Sequence, residues 1–198
     1  MNGSGLFLGS GVSDNDNWKD SFGLQGGDRR HRVVAGATVD LPRGFQVSAM
    51  SETISRGPGS LGDGTRGDRL PFLKNNQVNR SVHESDVPAL AARFNSEYAG
   101  KRDAQGALIA PIPALPAKYQ LGDAMWSQDL RLTKTLAIRE RYRISGVAEV
   151  FNLFNVANLG GFSGDLYNAK FGQATSRMNN VFGTGGPRAF QFALRFGF

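Results

Sequence analysis

The chain of 198 residues has no cysteine, only two histidines (His31 and His83), and no apolar run that approaches the ~18 to 20 residues a membrane-spanning helix needs. Without thiols there is no disulfide scaffold, no thiolate zinc site and no cysteine nucleophile, although no compartment is chosen by this. Without a long apolar run, any membrane role falls to strands or to a helix lying on the surface. The stretch "MNGSGLFLGSGVSDND" has neither a basic leader nor an apolar segment of adequate length, so it is not a secretory signal. The expectation is either a cytosolic protein or a chain whose true beginning lies further upstream. Runs of like charge are also missing: the formal charge is +6, but bases alternate with acids, as in "RLTKTLAIRERYR" with its Glu140. No continuous phosphate-binding stripe results, and a nucleic-acid partner is not expected.

What is present is glycine (26), phenylalanine (14) and alternation with a period of two. "RRHRVVAGATVDLP" puts Val33, Ala35, Ala37, Val39 and Leu41 on one side and Arg30, Arg32, Thr38 and Asp40 on the other. "FQVSAMSETIS" sets Phe45, Val47 and Ala49 against Gln46, Ser48 and Glu52, and only "PRG" separates the two, which predicts an antiparallel hairpin. A second hairpin follows. "MWSQDLRLTKTLAI" alternates Leu130, Leu132 and Leu136 with Asp129, Arg131, Thr133 and Thr135, turns near "RER", and returns with Ile144, Ala148 and Val150 against Ser145 and Glu149. The last segment, "RAFQFALRFGF", alternates Phe190, Phe192, Leu194, Phe196 and Phe198 with Gln191, Ala193, Arg195 and Gly197. One helix is predicted, in "ESDVPALAARFNSEYAGK", with Ser85 as cap, Pro88 early, and Leu90, Ala91, Phe94 and Tyr98 on one face.

Short turns alternate with long links, roughly 56–123 and 156–188, rich in Gly, Asn, Asp and Pro. Long links without structure argue against an ordinary compact domain and fit an outer-membrane barrel with short periplasmic turns and long extracellular loops. Ten residues at about 3.3 Å each, tilted by about 45°, span about 23 Å, close to the ~25 Å apolar band of such a barrel. Phe45, Trp126, Tyr142, Phe151, Phe154 and Phe198 fall near strand ends, where interfacial aromatic girdles sit. A soluble, secreted β-sandwich binding module explains the alternation equally well and is the alternative.

The final segment resembles the assembly signal of bacterial outer-membrane barrels, a terminal aromatic with apolar residues at alternate upstream positions. "DRRHRVVAGATVDLPRGF", "DLRLTKT", "AEVFNLFNVANLG", "FGQATS" and "GGPRAFQFALRFGF" resemble the C-terminal part of TonB-dependent receptors, nearest to Oar-like receptors with a carboxypeptidase-regulatory-like domain. The resemblance covers about Asp28 to Phe198, and the link 56–123 matches least. It implies an all-β, antiparallel transmembrane β-barrel segment of about five strands with long extracellular loops, residues 1–27 forming an N-terminal loop or partial strand. It further implies a portion of an outer-membrane receptor importing a large ligand of the siderophore, cobalamin or glycan class, not active alone. Its partners are then outer-membrane lipid and lipopolysaccharide, the barrel-assembly machinery, and the plug and remaining strands, through which TonB acts. Neither a cofactor nor an enzymatic activity is implied.

Several residues are candidates on this reading. Phe190, Phe192, Leu194, Phe196 and Phe198 carry the assembly signal, and Arg131, Glu149 and Arg195 line the channel wall. In "DRRHR", Asp28, Arg30 and Arg32 are expected on the inner face at the outer rim, with Arg29 and His31 facing outward towards lipopolysaccharide phosphates; a solvated rim ion pair is the plainer reading. Asp63 and Asp68 in "LGDGTRGDRLP" lack the ligand ladder of a calcium loop. Asp129 and Glu149 on neighbouring strands, near Arg131 and Arg143, fit a cross-strand charge lattice better than acid/base catalysis. "GTGGPR" has no helix behind it to bind phosphate, so Pro187 and Arg188 simply launch the last strand.

Overall fold

The structure, a computed structural model, describes residues 24–62, 70–103, 106–138, 141–178 and 183–198. The elements in chain order are β1 (Arg32–Leu41), β2 (Phe45–Ile54), α1 (Val87–Glu97), β3 (Met125–Ile138), β4 (Tyr142–Phe151), β5 (Leu159–Phe162), β6 (Ala174–Arg177) and β7 (Ala189–Gly197). β1, β2, β3, β4 and β7 form one antiparallel sheet in that order, and β5 pairs with β6. All five alternating segments are therefore strands of a single sheet. The chain divides into two compact units, one of residues 1–28, 57–122 and 162–174, the other of 29–56, 123–161 and 175–198.

In the sheet unit, the β1–β2 turn is "PRG" as expected, with Arg43 and Gly44 at φ 64° and 76°. Gly44 is required twice over. Its φ lies in the left-handed region, and a Cβ there would collide with the Thr135 carbonyl on β3. In the turn after β3, Arg139 and Glu140 lie outside the described residues, as do residues 1–23 of the N-terminal segment.

The other unit differs from what its sequence suggests. The link 56–123, expected to run as loop apart from one helix, folds around a core. Leu61, Leu70, Val78, Val82, Val87, Ala91, Phe94, Ile112, Leu121, Leu166 and Phe171 are buried together. α1 is the helix anticipated, with Val87, Ala91 and Phe94 buried and Phe94 stacked on Tyr98 at 5.4 Å. Its start is set otherwise than expected. The Asp86 carboxylate, not Ser85, accepts the His83 N–H at 2.8 Å across a 3₁₀ turn (Glu84–Asp86), and Pro88 sits in the first turn, where its missing N–H costs nothing. The extended, proline-rich segment that follows α1 is held by Asn95, whose side chain donates to the Ile112 carbonyl (3.0 Å) and accepts its N–H (2.7 Å).

Candidate functional site

The site is the sheet itself, whose two faces differ in chemistry. Register fixes each row across the strands. On one face lie Ala37–Ala49–Leu130–Val150–Phe190 and Val39–Val47–Leu132–Ala148–Phe192, followed by Leu136–Ile144–Phe196. On the other face the central row is Thr38–Ser48–Arg131–Glu149–Gln191, and two rows further Thr135–Ser145–Arg195. A period of two places each side chain on one face only, so these rows follow directly from the pairing.

The apolar face is open. Phe192 is 77% and Leu194 69% exposed, and Phe190, Phe196, Val39 and Leu136 are all more than half exposed. A sandwich requires these side chains beneath a second layer, and none of the described residues supplies one. An aromatic pair stands at one margin, Trp126 stacked on Phe154 with centroids 5.7 Å apart and planes within 5°. Phe45 and Tyr142 begin β2 and β4 at the opposite ends of their strands. Phe151 departs from expectation: its register opposite Ala189 gives it the parity of Glu149, and it lines a hollow on the polar face instead of an outer girdle.

On the polar face Arg131 donates to the Glu149 carboxylate across β3 and β4, the charge lattice the sequence suggested. Thr38 and Ser48 bond through their hydroxyls at 3.0 Å, and Thr135 and Ser145 at 2.9 Å. Arg195 faces the same side opposite Ser145, about 13 Å along the strands from the Arg131 row by strand rise. The three channel-wall candidates thus share a face, but only Arg131 and Glu149 touch. A hollow of about 440 Å³ borders this row, lined by Thr38, Ser48, Asp129, Arg131 and Glu149 among others.

Asp129 and Glu149 do not act as a pair. The Asp129 carboxylate accepts the Asn152 N–H (2.8 Å), the Ser127 hydroxyl (3.1 Å) and the Thr184 hydroxyl (2.7 Å). It anchors a clasp that sequence reasoning missed. Asn152 and Asn158, both fully buried, donate to the carbonyls of Gly186 (2.7 Å) and Gly185 (3.2 Å), and Asn158 also accepts the Trp126 N–H (2.8 Å). Asn152, Asn155 and Asn158 all take left-handed backbone angles (φ 50°, 54° and 45°), which asparagine tolerates best after glycine. Gly185 (φ 78°) approaches Met125 so closely that a Cβ would collide with its sulfur. "FNLFNVAN" and "GTGG" are therefore two halves of one hydrogen-bonded lock at the start of β3 and the end of β4. The signal available in sequence was the asparagine spacing of three; its partners lie 27 to 34 residues away.

The "DRRHR" residues divide. Asp28 pairs with Arg80 at 2.9 Å, whose side chain is only 4% exposed, so this is a buried anchor within the helix-bearing unit and not a solvated rim pair. Arg32 pairs with Glu52 at 2.7 Å within the sheet. Asp63 and Asp68, the residues weighed as a calcium loop, lie outside the described residues.

Among the described strands, the side that carries the apolar rows holds one charged residue that the sequence pattern concealed. Between Leu132 and Leu136 stands Lys134, in the row Leu41–Phe45–Lys134–Gly146–Leu194. Its ammonium lies 4.2 Å from the Phe45 ring centroid and donates to the Arg43 carbonyl.

With this geometry in place, comparison with known proteins shows that the family model described as outer membrane beta barrel domain matches residues 1–191. Neither a curated protein nor a solved structure matches.

Proposed function

The chain belongs to the outer membrane β-barrel domain family and resides in the bacterial outer membrane; from that premise we propose that it is part of the wall of a TonB-dependent receptor that imports a large, scarce ligand of the siderophore, cobalamin or glycan class. The observation that carries this reading is the two-faced sheet. Its apolar rows match hydrocarbon, and its other face sets Thr38, Ser48, Arg131, Glu149 and Gln191 across five strands as a hydrogen-bonding wall. Such a wall suits a polar solute that exchanges one hydroxyl or charged contact for the next, and the adjoining hollow adds Asp129.

In this reading β7 also serves assembly. Phe190, Phe192, Leu194 and Phe196 meet lipid and, with Phe198, form the alternating pattern that marks the strand for the insertion machinery, and Arg131, Glu149 and Arg195 face the passage. Among the described residues, β1 and β7 are the edges of the five-stranded sheet, and edge amides and carbonyls are costly in hydrocarbon, so in this reading further strands close the wall. Energy for import then arrives from TonB through a plug. The test is uptake of labelled ferric siderophore, cobalamin and oligosaccharide by cells carrying the gene, with and without TonB. Uptake that stops without TonB is expected; uptake of the same solutes at an unchanged rate would assign the wall to a passive pore.

A further inference from the structure

Lys134 interrupts an otherwise apolar row, and a cation facing hydrocarbon is costly at mid-depth but nearly neutral at the interface. Its position resolves the conflict. Its register partner Phe45 is the first residue of β2, directly after the Pro42–Gly44 turn, so Lys134 stands at the level of the β1–β2 turn. The ammonium has a carbonyl and an aromatic face as partners, and the described ion pairs all involve other cations. Among the described residues, no acidic side chain neutralises its charge.

Beside it runs a trough. Gly146 and Ala148 of β4 form the floor; Leu132 and Lys134 of β3 form one wall and Phe192 and Leu194 of β7 the other. The groove offers about 560 Å³ and is lined by apolar atoms apart from the lysine at one end. Its walls stand two strand spacings apart, about 10 Å between backbones, which after the side chains are placed leaves the width of a single hydrocarbon chain.

We infer that this trough seats an anionic glycerophospholipid, one acyl chain lying over Gly146 and Ala148 with the phosphate on the Lys134 ammonium. The choice of occupant follows from charge and setting: an unneutralised cation at turn level, an apolar channel leading from it, and a surrounding bilayer that supplies molecules with this pair of chemistries. The inference rests on membrane residence and not on transport, so the uptake experiment leaves it untouched.

The test uses the complete closed barrel of which this wall is part, reconstituted into phosphatidylcholine vesicles with trace spin-labelled phosphatidylglycerol or phosphatidylcholine, reading the motionally restricted fraction by electron spin resonance. The expected preference for phosphatidylglycerol is about fivefold. Lys134→Gln abolishes it and Lys134→Arg retains it. Gly146→Phe fills the trough and also abolishes it while leaving the charge in place; a Cβ there has only a Leu194 methyl within 4 Å, at 3.8 Å, so the substitution begins in open space. Lys134→Met, apolar and of similar length, gives a second neutral variant with the same expected loss. Excess inorganic phosphate leaves the wild-type preference intact. Equal restriction of the two labels in the wild type, a preference that survives Lys134→Gln or Gly146→Phe, or displacement by free phosphate would each overturn the seat.

Discussion

In the helix-bearing unit Leu61, Leu166 and Phe171 are 1 to 2% exposed, whereas on the sheet Phe192, Leu194 and Phe196 are 69 to 77% exposed. The sheet meanwhile buries Ser127, Asn152 and Asn158 completely. The same residue types are sorted in opposite directions within one chain, and the difference identifies two solvents. The helix-bearing unit gathers its apolar groups away from water, where each buried Å² contributes about 25 cal/mol. The sheet turns its apolar groups outward, which is stable only where acyl chains replace water. Polar groups on the sheet pair with one another: Thr38 with Ser48 and Arg131 with Glu149 on the polar face, Asn152 and Asn158 within the clasp, and Gln128 with Ser51 on the apolar side.

The comparison can be broken from either side. The largest effect is expected at Phe171→Ala, which opens a cavity in the water-excluding core and costs that unit about 3–5 kcal/mol. Limited proteolysis of reconstituted protein should then cut within residues 70–122 while β3, β4 and β7 stay protected. Next comes the sheet: Phe192→Arg costs about 2–4 kcal/mol in unfolding from vesicles, and the neighbouring Ala193→Arg, on the inner face, close to nothing. A similar cost at the two positions would contradict the assignment of faces. Asp129→Ala removes three hydrogen bonds at the clasp and is expected to cost about 1–3 kcal/mol, seen as a lower urea midpoint and faster hydrogen exchange at the Asn152 amide.

The smallest effect sharpens the other unit. Burial, followed by the negative charge of Glu84, raises the Tyr119 pKa above its usual value of 10.0, and its hydroxyl donates to the Glu84 carbonyl at 2.7 Å. The folded state therefore holds this proton more tightly than the unfolded chain. The resulting stability is fully present below pH 10 and lost as pH climbs from there through the folded pKa. Melting of the helix-bearing unit should show that alkaline loss in the wild type, and Tyr119→Phe should remove that component.

The sheet was legible because its rule is local. Alternation placed all five strands, and Pro42-Arg43-Gly44 marked the first hairpin without reference to anything distant. The helix-bearing unit was not legible beyond α1, because Leu61, Leu70, Val78, Ile112 and Phe171 meet from irregular backbone and carry no period to read. Asn152 and Asn158 escaped for a related reason: their roles depend on left-handed backbone and on glycine carbonyls contributed by a distant loop. Lys134 was hidden by the pattern that revealed β3, since Leu130, Leu132 and Leu136 define the row well enough for the residue between them to pass unnoticed. Arg131 and Glu149 were found because cross-strand neighbours follow from register alone.

A chain without native thiols permits the decisive measurement: single nitroxide labels introduced at Phe190→Cys through Arg195→Cys along β7, with relaxation compared in dissolved oxygen and in a water-soluble nickel chelate. Labels at 190, 192 and 194 should respond to oxygen and those at 191, 193 and 195 to nickel, in strict alternation across reconstituted bilayers. Nickel access that is equal at odd and even positions, or shielding of 192 and 194 from both agents, would contradict a sheet with one face in lipid.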